Sequence, residues 1–279
     1  MKIKIAKKAG FCFGVKRAID ITFNLAKEDN KGLYTYGPLI HNPQVVEELK
    51  RKGVKTVENL TSADIRTIII RTHGVSPEVY AETSQMGYNV IDATCPFVKK
   101  AQKFAQILND EGYQVLIIGD KEHPEVQGLI GFAGGNAVVA GDADQLPALK
   151  NKVGIIVQTT QPFDTFRNIV LQVISTAREV KIYNTICDFT AQRVKETREL
   201  AKEVELMVIV GGKNSSNTNQ LVKLSQAVCA KVYHIETAEE IKEEWFLGVE
   251  NVGITGGAST PQWIIDDAVK KIREISVRR

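Results

Sequence analysis

A chain of 279 residues, 43 % apolar and 25 % charged, is long enough for two or three domains that each bury a core. Its 36 Lys+Arg against 33 Asp+Glu leave a net charge of +3, too mild to argue for nucleic acid. Its four cysteines form no Cys-x-x-Cys pair, which speaks against a disulfide scaffold or a finger-type zinc site, and its longest apolar runs, such as LMVIV, are far short of a membrane span.

In chain order, short β-branched runs alternate with amphipathic stretches. The start MKIKIAKKAG is basic, but no signal-length apolar stretch follows, so a cytoplasmic protein without membrane partners is expected. KIKIA predicts a strand and GVKRAIDITFNLAKED a helix; GLYTYG, TIIIRT and NVIDAT predict strands. PFVKKAQKFAQILNDEG predicts a helix, QVLIIG and VGIIVQ strands, FDTFRNIVLQVISTA a helix and VKIYNT a strand. QRVKETRELAKEV predicts a helix, and LMVIVG and NVGITG predict strands. Strands alternating with helices at this spacing imply parallel sheets joined by right-handed crossovers.

One unit is written three times. Cys12 opens CFGVKRA, Cys95 opens CPFVKKA and Cys187 opens CDFTAQRVKE, each starting a helix that carries basic residues. A strand, a Gly-containing turn and a polar residue follow in GPLIHNP, GDKEHPE and GGKNSSN: His41 lies 29 residues after Cys12, His123 28 after Cys95 and Ser215 28 after Cys187. A polar turn before a Pro-started helix comes next in RTHGVSP, QTTQP and TGGASTP, with Pro77, Pro162 and Pro261 65, 67 and 74 residues after their cysteines. The period is too long for a solenoid. The expected fold class is therefore α/β: three similar small lobes with mostly parallel sheets, arranged with pseudo-three-fold symmetry around a central site. Their boundaries fall at 14–94, 95–186 and 187–279, with residues 1–13 packing with the third. Ligands of open α/β sheets bind at the carboxyl ends of strands, where all the landmarks fall.

Converging lobes would bring Cys12, Cys95 and Cys187 to the axis. Three thiolates can anchor an iron–sulfur cluster, although four is the usual complement, and a four-iron cluster held by three leaves one iron open to substrate as a Lewis acid. Core packing accounts for any one cysteine better than for three at equivalent positions; a structural zinc stays open but ordinarily takes four protein ligands. Cys229, in LSQAVCAKVYH, has no counterpart and is expected to pack on the apolar face of a helix. His41, His73 and His123 sit at landmarks where the third lobe places NSSN. Helix starts attract phosphate, and His, Ser, Asn and Thr add donors. Asn42, Ser76 and Ser215 are also good N-cap types, and capping shares its geometry with anion binding. His234, in KVYHIE, reads as a partly exposed strand residue. Glu125, in EHPEVQG, is either a helix-dipole partner or a proton donor, with Thr159 and Thr160 of QTTQP placing hydroxyls close by. GGKNSSN lacks the Gly-Lys-Ser/Thr of a Walker loop, which disfavours nucleotide hydrolysis.

GFCFGVKRA, GPLIHNPQVVEEL, RTHGVSP, ATCPFV, HPEVQG, QTT, TICDFT, GGKNSSNTNQL and GITGGASTP, in this order over nearly the whole chain, resemble the 4-hydroxy-3-methylbut-2-enyl diphosphate reductase (LytB-type) family, which completes the methylerythritol phosphate route to isoprenoids. The resemblance implies one [4Fe-4S] cluster per chain, held by Cys12, Cys95 and Cys187 with one open iron. It implies diphosphate binding by His41, His73, His123, Ser215, Ser216, Asn217 and Ser259. Thr159 and Glu125 would act around the substrate hydroxyl, Glu125 supplying protons, with Thr160 beside them. The implied reaction is reductive dehydroxylation of a small allylic diphosphate to isopentenyl and dimethylallyl diphosphates, with reduced ferredoxin or flavodoxin as electron donor. Two alternatives are a three-lobed cluster lyase of the quinolinate synthase type, against which the HNP, HPE and SSN set speaks, and a non-catalytic iron–sulfur sensor, for which no surface recognition element stands out.

Overall fold

The computed structural model describes residues 1–61, 64–135 and 137–278. The chain opens with β1 (Lys2–Ile5) and α1 (Phe13–Glu28) and continues through β2 (Leu33–Tyr36), α2 (Pro43–Arg51), β3 (Lys55–Val57), β4 (Thr67–Ile70), α3 (Pro77–Gln85) and β5 (Asn89–Asp92). The succession repeats as α4 (Pro96–Asp110), β6 (Gln114–Ile118), α5 (Pro124–Phe132), β7 (Val138–Ala140), β8 (Lys152–Val157), α6 (Phe163–Thr176) and β9 (Glu179–Ile182). It repeats again as α7 (Asp188–Lys202), β10 (Leu206–Val210), α8 (Ser216–Gln226), β11 (Lys231–Ile235), β12 (Asn251–Gly256) and α9 (Gln262–Val277).

Among the described residues the strands form three four-stranded sheets, ordered β3-β2-β4-β5, β7-β6-β8-β9 and β11-β10-β12-β1, with every neighbouring pair parallel. The three α/β lobes expected from the repeat are thus present, each with the same strand order. The third sheet takes its edge strand from the start of the chain, Ile3 lying opposite Val252 and Ile5 opposite Ile254. β3 and β7 are not among the strands expected from the sequence: each is a three-residue edge strand, too short to show alternation.

The central strands are apolar on both faces because helices cover both sides of a parallel sheet. In the third sheet, Val208, Val210, Val252 and Ile254 pack on Ile264, Ile265, Ala268 and Ile272 of α9. From the opposite face, Met207 and Ile209 pack on Leu200 and Ala201 of α7 and Leu221 of α8. The second sheet repeats the scheme: Val115 and Ile117 meet Ala101, Ala105 and Leu108 of α4, while Leu116 and Ile118 meet Phe166, Ile169 and Val173 of α6. Cys229 is buried, as a packing residue should be, but it lies beyond α8, which stops at Gln226 with Ala227 as its C-cap. It joins Leu200, Met207 and Leu221 there, with Sγ 3.6 Å from the Val204 carbonyl.

The chain divides into two compact units. The first comprises residues 1–16, 40–47 and 188–279 and contains the third sheet; the second comprises 17–39 and 48–187 and contains the other two. Within the second unit α5 lies against the start of α3, so closely that a Cβ on Gly131 would fall 2.5 Å from Ser76 Cβ. No helix among the described residues is long and apolar enough to cross a membrane.

Candidate active site

Each repeated cysteine follows an edge strand and immediately precedes a helix: Cys12 before α1, Cys95 before α4 and Cys187 before α7. Each donates its amide to a carbonyl in the turn after the adjacent strand. Cys12 N–H bonds Ala258 O at 3.1 Å, Cys95 N–H bonds Thr72 O at 3.0 Å and Cys187 N–H bonds Thr159 O at 2.9 Å. All three are half-buried, whereas Cys229 is buried. Cysteine sulfur is a soft ligand, and these three half-buried side chains are the residues that could hold a soft metal group.

In the first unit lie Cys12, His41, Ser215, Ser216, Asn217 and Ser259. Ser215 Oγ accepts the Thr218 amide at 3.3 Å and so caps α8, leaving Ser216 as its first residue. Asn217, 3 % exposed, accepts the Ala258 amide on Oδ1 at 2.9 Å. Its Nδ2 is buried with no hydrogen-bond partner among the described residues, as is Nδ2 of Asn42. A buried orphan donor is costly, so the two amides read as donors awaiting an acceptor. Ser259 Oγ donates to the His41 carbonyl at 3.1 Å. Gly212 lets that carbonyl approach, since a Cβ there would lie 2.7 Å from it. Asn42 Oδ1 accepts the Val45 amide at 3.0 Å, so the cap of α2 is Asn42 and His41 precedes it by one residue.

In the second unit lie Cys95, Cys187, His73, His123, Glu125, Thr159 and Thr160. His123 caps α5, its Nδ1 accepting the Glu125 amide at 3.2 Å; the neutral ring therefore carries its proton on Nε2. The His73 and His123 rings meet edge to face, with centroids 5.3 Å apart. Glu125 is 2 % exposed and receives two bonds from one residue: Thr159 N–H to Oε1 at 2.7 Å and Thr159 Oγ1–H to Oε2 at 2.8 Å. Burial pushes its pKa up to about 7 against the pull of those bonds. Thr160 is half-buried, its hydroxyl accepting Gln158 Nε2 at 3.1 Å. Ser76 occupies the N-cap of α3 but makes no side-chain cap bond, so the capping expected of it is absent. It hydrogen-bonds Glu78 instead, holding that carboxyl below its ordinary pKa. His234 lies half-buried in β11, with Nε2 2.8 Å from the Gly211 carbonyl.

The caps establish a correspondence that matching His41 with His123 and Ser215 misses by one residue. Asn42, His123 and Ser215 are equivalent, and the second helical positions hold Gln44, Glu125 and Asn217. Sequence reasoning also missed two arginines. Arg17 Nη1 on α1 donates to the Thr94 carbonyl at 3.3 Å, next to Cys95, and Arg193 Nη1 on α7 donates to the Gly256 carbonyl at 2.6 Å. The one signal for either was a basic residue five or six positions after a repeated cysteine.

A family model described as LytB protein matches residues 3–273. The 4-hydroxy-3-methylbut-2-enyl diphosphate reductases of Pelobacter propionicus and Geobacter metallireducens are each 47 % identical over 278 residues, covering 99 % of this chain and 99 % and 98 % of theirs. Among solved structures, an (E)-4-hydroxy-3-methyl-but-2-enyl diphosphate reductase described as the terminal enzyme of the non-mevalonate pathway is 43 % identical, with a TM-score of 0.71 over 98 % of this chain and 99 % of that one. The Plasmodium falciparum E-1-hydroxy-2-methyl-but-2-enyl-4-diphosphate reductase is 26 % identical, with a TM-score of 0.91 over 96 % of this chain and 87 % of that one.

Proposed function

The chain belongs to the LytB protein family, and we propose that it reductively dehydroxylates (E)-4-hydroxy-3-methylbut-2-enyl diphosphate to isopentenyl and dimethylallyl diphosphates. The allylic C–O bond breaks, two electrons and two protons enter, and the oxygen leaves as water. The observation that carries this reading is Thr159, whose carbonyl accepts the Cys187 amide while its own amide and hydroxyl bind Glu125. One residue thereby ties a metal-ligand candidate to an acid.

Three half-buried thiols at helix starts, each with its amide already engaged, suit a [4Fe-4S] cluster held by Cys12, Cys95 and Cys187. When bound, such a cluster supplies electrons one at a time and one iron without a protein ligand as a Lewis acid. Glu125, with a pKa near 7, holds a transferable proton at neutral pH, and the 2.8 Å contact to the Thr159 hydroxyl offers it a path toward the substrate oxygen. Ser215, Ser216, Asn217, Ser259 and His41, with His73 and His123, bind the diphosphate, and Thr160 borders the same substrate. The unpartnered Asn217 Nδ2 and the N–H groups of the α8 start support that assignment. The lobes are taken as 14–94, 95–186 and 187–279 with 1–13, because each range supplies the strands of one sheet. Reduced ferredoxin or flavodoxin in the cytoplasm is the proposed electron source.

Anaerobically reconstituted protein should hold about four iron per chain and turn over the diphosphate with a one-electron reductant. Cys12→Ser, Cys95→Ser and Cys187→Ser should each lose the cluster absorbance, and Cys229→Ser should keep it. An intact cluster with no turnover would favour a lyase or a sensor. Loss of the cluster in Cys229→Ser would overturn the ligand assignment.

A further inference from the structure

The turn after β12 does two jobs through one residue. Ala258 donates its N–H to Asn217 Oδ1 at 2.9 Å and accepts the Cys12 N–H on its carbonyl at 3.1 Å. The next residue, Ser259, donates to the His41 carbonyl. The turn is pinned to β10: Gly257 N–H bonds Val210 O at 3.0 Å, and Thr260 Oγ1 donates to the same oxygen at 2.9 Å.

Its upstream end is held by α7. Arg193, 3 % exposed, reaches the Gly256 carbonyl at 2.6 Å, and one turn later Thr197 Oγ1 lies 3.4 Å from Thr255 Oγ1. The same helix face holds the approach to Cys12, since Glu196 accepts the Lys7 and Lys8 amides at 2.7 and 2.8 Å. A guanidinium keeps its charge even when buried, so an arginine here is a costly way to fill space. Placement of the Gly256 carbonyl is a specific return for that cost.

We propose that Arg193 is a positioning residue: by fixing the end of β12 it sets Ala258 so that anion binding at Asn217 and the seating of Cys12 are coupled. This rests on the diphosphate and cluster reading above. Displacing Gly256 displaces Ala258, and with it both the carboxamide that presents Nδ2 and the amide bond that places the Cys12 backbone. Coupling of this kind is reciprocal: an anion at Asn217 alters the cluster, and loading the cluster alters affinity for the anion.

The test uses the reconstituted full chain, inorganic diphosphate as probe, and the variants Arg193→Lys, which keeps a charged donor, and Arg193→Met, which keeps an unbranched apolar stem without the guanidinium. In the unaltered protein, diphosphate should change the electron paramagnetic resonance signal of the reduced cluster. Arg193→Met should weaken diphosphate about tenfold by calorimetry, equivalent to 1.4 kcal/mol, and raise KM more than it lowers kcat. It should also shrink the spectral response to diphosphate. Arg193→Lys should recover part of each at unchanged iron content and thermal midpoint. Wild-type affinity and spectral response in both variants would overturn the proposal. So would losses that merely track the fraction of chains without iron. Failure of the underlying reading looks different, because the unaltered protein would then neither bind diphosphate nor turn over.

Discussion

The lobes built on the second and third sheets place different chemistry on one backbone frame. In both, the second residue of the helix after the cap reaches an amide in a turn beyond the sheet: Glu125 takes the Thr159 N–H at 2.7 Å and Asn217 takes the Ala258 N–H at 2.9 Å. In both, that turn residue also accepts a cysteine amide on its carbonyl. What differs is the side chain. A carboxyl can carry a proton in and out, and Thr159 adds a hydroxyl along its path. A carboxamide cannot titrate and presents a fixed donor, with Ala258 adding nothing. The repeat supplies geometry and the residue at one helical position decides the task.

Glu125→Gln imposes the third lobe's chemistry on the second and should have the largest effect. Gln can still accept the Thr159 amide, and the Thr159 hydroxyl can turn to accept its NH2, so the local frame should persist. Turnover should fall about 10²–10⁴-fold, the usual contribution of a general acid, with iron content and substrate affinity retained. The unaltered enzyme should lose kcat as pH rises past about 7, where Glu125 gives up its proton, and the variant should lack that limb. Near-normal turnover would reduce Glu125 to a helix-dipole partner.

Asn217→Asp makes the opposite exchange. Oδ1 can still accept the Ala258 amide, but the Nδ2 donor is gone and a negative charge faces an anion. A hydrogen bond to a charged group is worth about 1.5–3 kcal/mol, so diphosphate and substrate should bind roughly 10–100-fold more weakly. Calorimetry with inorganic diphosphate measures this, and the cluster spectrum without anion should not change. Unaltered affinity would place the diphosphate elsewhere.

Much of this comparison was legible in the sequence, because the signals were local. Alternating apolar runs mark the long central strands, and three cysteines at matching distances from polar turns mark the repeat. The edge strands Lys55–Val57 and Val138–Ala140 were not legible, since three residues cannot show a period. The equivalence of Gln44, Glu125 and Asn217 is hidden in the sequence because His41 looks like the counterpart of His123, whereas the caps are Asn42, His123 and Ser215. The Thr159–Glu125 pair spans 34 positions, and Arg193 reaches a carbonyl 63 positions away. Sequence could place Thr159 near Glu125 by analogy between landmarks. It could not identify the carbonyl that Arg193 meets, because that partner is backbone and carries no side-chain signature.

The smallest effect tests the electrostatic half of the contrast through folding rather than rate. The carboxyl of Glu125 has its pKa raised from 4.5 to about 7 by burial. Below pH 4.5 both folded and unfolded chains hold the proton and the group contributes no pH dependence. Between 4.5 and 7 the unfolded chain ionises while the folded one stays protonated, so stability falls as pH rises, by at most about 1.4 kcal/mol per pH unit. Above about 7 both forms are ionised and the loss levels off near 3 kcal/mol. Glu125→Gln removes this titration, so its stability relative to the unaltered chain should climb between pH 5 and 7 and then stay flat. Denaturant midpoints at pH 5, 6, 7 and 8 give the difference, in which the pH dependence common to both chains cancels. A difference independent of pH would show that Thr159's two bonds keep Glu125 ionised throughout. The buried carboxylate would then be an acceptor that orients Thr159, and the proton would have to come from another donor.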